Sequence, residues 1–478
     1  MLWTRSDASG GNARRPAKTG AAAIAALFAL VFMAGCLLAV VVPPLSGPDE
    51  IFHWQRAVQI SRGQLLPVRV GQAGWGGKID KAAHDYAGWA IKPLTEAIPF
   101  GISEATAVAR QLKTRSEQEV LAAFPSTASY PPLAYLPQAL GVGIAQAAGA
   151  DPLGQIVAGR IANLAAYLGV IALALRALPA GRLTFLAIAF IPMAIHLAAS
   201  LSADPLNFAL PALLIAWCLR LRADQQVQLT RPVKWLLAAL TCALGLLKPT
   251  YLILSVVVAL IPAARFGSVG SKWIFVCACA GAAAAVGLAW NATHPFLPGL
   301  YWGTGANPQA TVLSMARDPF TALETLFRSV RTLWGYWGVD GYGRFGGSTP
   351  PSPYVLYTSP AVSWLGLYLM LALAVSEPVQ RRDLLAAAFT AALGVAFFAV
   401  VILAFWVAFT PPAASLIAGV QGRYFYLTWL LFALCLVLAA PLGGLATRLT
   451  VPLFVLVLGC HALTVWRVVD HFRFYWAN

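Results

Sequence analysis

The stretch AAAIAALFALVFMAGCLLAVVV at residues 21–42, followed at once by PPLSGPDEIFHW at residues 43–54, decides the fold. An uncharged apolar run of this length lets an α-helix cross a hydrocarbon core of about 30 Å. Arg5, Arg14, Arg15 and Lys18 precede it, and it is longer than a signal-peptide core with no small-residue A-x-A exit. It therefore reads as a retained anchor whose basic tail, residues 1–19, stays cytosolic. The two prolines then bring the chain out on the other side.

Such runs recur along the chain. Its 478 residues are 59% apolar and 11% charged, with a mean hydropathy of +0.71. That composition favours a single membrane domain, residues 20–478, over several soluble ones. Spans are expected near 20–42, 153–177, 182–201, 204–221, 234–247, 250–263, 272–290, 359–376, 383–409, 424–441 and 449–467. The fold class is an all-α polytopic transmembrane bundle of about eleven spans. Its N-terminus lies inside and its C-terminus outside, with large external loops at 43–151 and 291–358.

The apolar segment Tyr130–Gly149 is laid along the external surface. Counted as a span, it would put the basic connections 176–182, 220–234 and 381–382 outside, against the positive-inside rule. With eleven spans the short cytosolic segments carry fifteen cations and four acids, which is +11 of the chain's net +15. Topology thus explains most of the basic charge, and nucleic acid is not an expected partner. The cytosolic connections leave no room for a catalytic domain. The first external loop is expected to hold a charged helix over Glu104–Val120, and the second a surface helix over Pro319–Trp334. Seven cysteines lie almost wholly in apolar runs without C-x-x-C spacing and read as packing residues.

The chemistry-bearing residues left outside are few. In GPDE, residues 47–50, Pro48 suits the first helical position, and Asp49 and Glu50 then occupy a first turn that favours carboxylates. His53 falls on their face, at i+4 and i+3. Ionisable groups at a membrane surface are costly, and this favours a functional role for Asp49. Asp204, in SADPLN at 202–207, is evenly a functional acid or a helix cap followed by proline. Lys248, in LKPTY at 247–251, stands at an external mouth against the charge trend. With Arg423, in GVQGRYF at 419–425, it suggests a phosphate site at headgroup level. The tract WGYWGVDGYGRF at 334–345 interleaves rings and glycines. It reads as an interfacial belt or as a sugar-binding rim that includes Trp337 and Tyr342.

This order resembles the GT-C superfamily of membrane glycosyltransferases: an acid pair after the first span, a Tyr-Pro-Pro surface helix, an acid after the third span and a lysine between two short spans. More closely, GPDE at 47–50, YPPL at 130–133, ASLSAD at 199–204, Lys248-Pro249 and QGRY at 421–424 resemble a bacterial polytopic membrane family known only as a domain of unknown function. The resemblance implies transfer of a sugar from a polyprenyl-phosphate donor to a glycan or glycolipid acceptor. The reaction would take place on the periplasmic or exterior face of the plasma (bacterial inner) membrane, in cell-surface glycan assembly. Asp49 would be the base, with Glu50 positioning it. His53, Tyr130, Asp204, Lys248, Arg423, Trp337 and Tyr342 would bind substrate. A divalent cation, Mg or Mn, at Asp49 and Glu50 stays open, because the second acidic pair of many GT-C members is matched only loosely by Asp80 and Asp85. Two other classes stand beside this one. A transporter or flippase of a lipid-linked saccharide would explain Arg160 inside span two, and a non-catalytic scaffold would use the two loops.

Overall fold

The computed structural model describes residues 17–115, 117–294, 305–347, 352–379, 382–412, 414–440 and 445–477. Arg5, Arg14, Arg15 and the Lys18 side chain of the expected tail, Arg381, and residues 295–304 and 348–351 of the second loop lie outside the described residues.

Among the described residues, seven helices are long and apolar enough to cross a membrane: Gly20–Val41, Pro152–Ala177, Asp204–Ala223, Val269–Ala292, Leu384–Phe409, Gly422–Ala439 and Arg448–Ala477. The other four expected spans are shorter helices or are broken. The 182–201 segment divides into Arg182–Ala189 and Pro192–Ala198, because Pro192 disfavours helix at the residue before it. The carbonyls just past its second piece meet side chains: Asn163 Nδ2 donates to Ser200 O at 2.8 Å and Ser202 O at 3.0 Å, and Gln138 Nε2 donates to Ser202 O at 2.8 Å. Such side-chain satisfaction makes irregular backbone tolerable inside a bundle. Pro249–Leu260 is a 3₁₀ helix of 12 residues. At roughly 2.0 Å per residue it reaches about 24 Å, where an α-helix of that length would reach about 18 Å. Arg231–Gly245 and Pro360–Ser376 complete the set with 15 and 17 residues.

The basic helix ends gather on one side. Arg222 pairs with Asp383 at 2.5 Å and donates to Leu260 O at 3.2 Å, Arg265 Nη1 donates to Gln225 O at 2.7 Å, and Arg382 Nε donates to Ala440 O at 3.1 Å. All seven cysteines are free; Cys218 and Cys279 are buried, Cys36, Cys242, Cys435 and Cys460 half-buried, and Cys277 exposed.

The first loop departs from an all-helical expectation. It folds around a second hydrophobic core, with Trp54, Ile79, Tyr86, Phe100 and Phe124 at its centre, joined by Tyr354 of the second loop and Tyr475 near the C-terminus. A three-stranded antiparallel sheet backs this core: Val68–Arg69, Trp75–Asp80 and Glu119–Ala123, with Gly76 opposite both Val68 and Ala123. The helix expected over Glu104–Val120 runs over Ile102–Leu112 with a 3₁₀ turn to Arg115, and Glu119 and Val120 are strand residues instead. Asp80 and Asp85 serve this loop. Asp80 pairs with Arg62 and accepts Gln146 Nε2 at 2.9 Å, and Asp85 pairs with Lys81 at 3.2 Å.

Tyr130–Gly149 forms a turn, Pro132–Tyr135, and a helix, Leu136–Ala147. Leu136, Leu140 and Ile144 repeat every fourth residue as an exposed apolar stripe, the pattern of an element lying on an apolar surface. The surface helix expected to stop at Trp334 continues from Pro319 to Gly343.

Candidate functional site

The turn after the first apolar helix is built by its own polar groups. Ser46 Oγ donates to Pro43 O at 2.8 Å, and Gly47 N donates to Glu50 Oε2 at 3.0 Å. The following helix begins at Glu50, so Pro48 stands before the helix rather than at its first position. Asp49 is the capping residue, with φ 57° and ψ 14° in the left-handed region. Asp tolerates that region better than most residues, yet the conformation still costs energy and is held by its surroundings.

What holds it is Glu50. This carboxylate is buried and takes a two-pronged grip from Arg160, Nε to Oε1 at 2.8 Å and Nη2 to Oε2 at 2.7 Å, with Leu201 N donating at 3.1 Å. Arg160 also donates to the carbonyls of Ala39 and Val42 at 2.8 Å and of Pro43 at 3.0 Å. One guanidinium thus closes the end of the first helix and anchors the turn. Burial alone would raise the Glu50 carboxyl; the Arg160 charge and hydrogen bonds, with the N–H groups of Gly47 and Leu201, outweigh it and hold Glu50 below its ordinary value. Glu50 is therefore a structural partner of Arg160, fixed in the turn next to Asp49, the residue it was expected to position.

Asp49 faces the other way and is about two-fifths exposed. Its Oδ2 lies 3.2 Å from Arg423 Nη2, across 374 positions of sequence. Arg423 Nε lies 3.2 Å from Asp204 Oδ2, close enough for an ion pair without the alignment of a hydrogen bond. Asp204 Oδ1 accepts Lys248 Nζ at 2.9 Å and Asn207 Nδ2 at 3.3 Å. The Asp204 side chain does not cap its helix; Ser202 Oγ instead accepts the Asp204 N–H at 3.2 Å. Lys248 Nζ sits 5.3 Å from the Tyr130 ring centre and 5.1 Å from that of Tyr424, and the Arg423 guanidinium lies 5.3 Å from Tyr424. Both distances for Lys248 are within cation–π range. An alternating row results: Asp49, Arg423, Asp204, Lys248, walled by two tyrosines. Asp204, Lys248 and Arg423 stand at the ends of apolar helices, and Asp49 caps the helix Glu50–Ser61.

His53 lies beside the row, its Nδ1 2.7 Å from Tyr135 Oη. Burial pushes its imidazole down to about 4, against the opposing pull of Asp49 and Asp204. The ring is neutral at pH 7. The unfolded chain binds that proton near pH 6.5, so this group favours unfolding increasingly as pH falls from 6.5 to about 4. A His53→Gln protein is expected to show a shallower loss of thermal stability over that window, measured in detergent at fixed ionic strength. An unchanged slope would assign the acid sensitivity elsewhere.

Trp337 and Tyr342 do not join the row. The glycine and aromatic tract continues the Pro319–Gly343 helix, and both rings are buried, Trp337 5.3 Å from Phe425 and Tyr342 5.6 Å from His461. The expected sugar-binding rim is a packing seam because small residues let helices touch backbone to backbone. A Cβ on Gly422 would stand 1.9 Å from Trp337 O. Asp340, within that tract, was not singled out from sequence. It is buried, and its Oδ2 accepts Gly422 N at 2.6 Å, so it orients the turn that presents Arg423. Its position beside a glycine-rich helix face was the only available signal. Gly422→Ala is expected to cost about 1–3 kcal/mol through overpacking. Gly459→Ala, where no atom lies within 4 Å, serves as the control. Equal melting temperatures for the two proteins would overturn the close-approach argument.

A divalent cation does not fit the proposed ligands. Glu50 is committed to Arg160, and Asp49 and Asp204 share Arg423. Among the described residues no group of three or more His, Cys, Asp or Glu side chains could hold a metal ion.

The apolar helices define a multi-pass helical membrane protein, and the charged row gives it a candidate polar site. The chain belongs to the family described as predicted membrane protein (DUF2142), whose model matches residues 32–431 and so spans every residue of the row. No curated protein and no solved structure matches the chain.

Proposed function

We propose that the protein is a GT-C-like glycosyltransferase that moves a sugar from a polyprenyl-phosphate donor to a glycan or glycolipid acceptor on the external face of the bacterial inner membrane. The observation that carries this is the row itself: an accessible carboxylate, Asp49, beside two cations able to hold a phosphate. The clustering of Arg222, Arg265 and Arg382 on the other side agrees with the eleven-span threading that puts the row outside.

In this reading the donor phosphate draws Arg423 and Lys248, competing with the carboxylates for them and releasing Asp49 from its ion pair. Asp49 then takes the proton from the acceptor hydroxyl as its oxygen forms a bond to the anomeric carbon. The bond from that carbon to the phosphate oxygen breaks with inversion. Polyprenyl phosphate leaves as an anion, stabilised by Arg423 and Lys248, and needs no acid. Tyr130 and Tyr424 flank the cations, and neutral His53 borders the acceptor side.

The transporter alternative drew on Arg160, a buried charge that the Glu50 pair and three carbonyls now account for. The test is sugar transfer in proteoliposomes from a polyprenyl-phosphate donor. Asp49→Asn is expected to lower it sharply while Arg231→Gln is expected to retain it, and full transfer by a folded Asp49→Asn protein would overturn the assignment.

A further inference from the structure

Asp204 and Arg220 belong to one helix, Asp204–Ala223, and stand roughly 24 Å apart along its axis. At the Arg220 end, across the bundle from the Asp49 row, lies an open chamber, a surface concavity of about 1030 Å³. Arg176, Arg182 and Arg220 line it, with Asp224 and Glu377 as the acids. Glu377 is already engaged: its oxygens accept Leu183 N at 3.0 Å, Thr184 N at 2.9 Å and Thr184 Oγ1 at 2.8 Å. Among the described residues neither Arg176 nor Arg220 forms an ion pair. Arg220 has a weak contact to Arg176 O at 3.4 Å and lies 5.4 Å from the Trp217 ring.

The positive-inside rule asks for a number of cations near span ends, not for their convergence on one concavity. The three guanidinium groups, drawn from three helix ends, outnumber the two acids of the lining, so the concavity keeps a net positive charge that a bound anion offsets. The planar fork of arginine matches phosphate oxygens in pairs, and basic pockets between span ends are where phosphate headgroups lodge. We propose that this chamber binds a phosphate-bearing anion, with Arg176 and Arg220 as its principal ligands. Its source is either the headgroup of an anionic phospholipid or a soluble phosphate. The site is separate from the Asp49 row and does not depend on what that row does.

Native mass spectrometry of the full chain in an uncharged detergent tests this, with phosphatidylglycerol, phosphatidylcholine and inorganic pyrophosphate as probes. The intact protein is expected to retain phosphatidylglycerol or pyrophosphate in preference to phosphatidylcholine. The Arg176→Gln/Arg220→Gln protein should retain it about tenfold less, the loss of roughly one charge-assisted contact's worth of affinity. Arg231→Gln, which removes a cation outside the chamber lining, should change nothing. Displacement of the lipid by millimolar pyrophosphate would identify a soluble phosphate as the ligand, and resistance to it a headgroup. Arg220→Lys, which keeps the charge and removes the fork, is expected to fall between wild type and the double variant and guards against misfolding of the latter. Equal retention by all four proteins, or no preference for phosphatidylglycerol or pyrophosphate over phosphatidylcholine, would overturn the proposal.

Discussion

Arg160→Met is expected to destabilise the protein by about 3–5 kcal/mol, because it strands a buried carboxylate without its counter-charge. Glu50 and Arg160 are 0% and 2% exposed, so solvent does not compensate either. The same change unties three carbonyls at the end of the first helix. Thermal or denaturant unfolding in detergent measures the effect. A paired replacement, Arg160→Met with Glu50→Leu, is expected to recover part of the loss, since removing both charges also removes their desolvation cost. Equal stability of the single and double variants would refute the account. There is an acid signature as well. Glu50 is held below its ordinary value of 4.5, so its contribution is full above that pH. It is lost as pH falls from 4.5 through the lower folded value. Glu50→Gln should remove this portion of the acid slope.

Asp49→Asn is expected to lower sugar transfer by about 10²–10⁴-fold, the usual weight of a positioned general base. Asparagine preserves size and still tolerates the left-handed backbone, so the fold should survive. Because Asp49 also holds Arg423, the variant leaves that cation more available, and donor binding should be unchanged or tighter while turnover falls. Arg423→Gln should do the reverse to donor affinity, since it removes a proposed phosphate ligand. Measuring donor binding separately from transfer distinguishes the two roles. A parallel fall of binding and transfer in Asp49→Asn would instead make Asp49 a ligand.

Much of the row was legible in the sequence. Asp49, Asp204, Lys248 and Arg423 each interrupt or border an apolar run, where an ionisable group is costly and needs a reason. The neighbouring Glu50 looked equivalent to Asp49, and nothing in the string separates the two. Their division arises because one side chain points into Arg160 and the other toward Arg423, each more than a hundred positions away. Trp337 and Tyr342 misled for the opposite reason. Rings next to glycines suit an exposed rim and a close helix seam equally well, and only the neighbouring Phe425 and His461 decide between them. The loop's sheet escaped notice because its strands are short and partly charged, as in Glu119–Ala123.

By itself the sequence determined that the chain lives in a membrane, roughly where its apolar segments lie, and which few charges stand out from that background. These are properties of length and composition along a line, set by the thickness of the bilayer and the cost of burying charge. The tertiary structure decided who meets whom. It locked Glu50 onto Arg160, linked Asp49 to Arg423 across 374 positions, released Asp204 from a capping role, and converted a short span into a stretched 3₁₀ helix. Ion pairing and close packing depend on distances of a few ångströms between segments remote in the chain, and those distances exist only once the helices are packed.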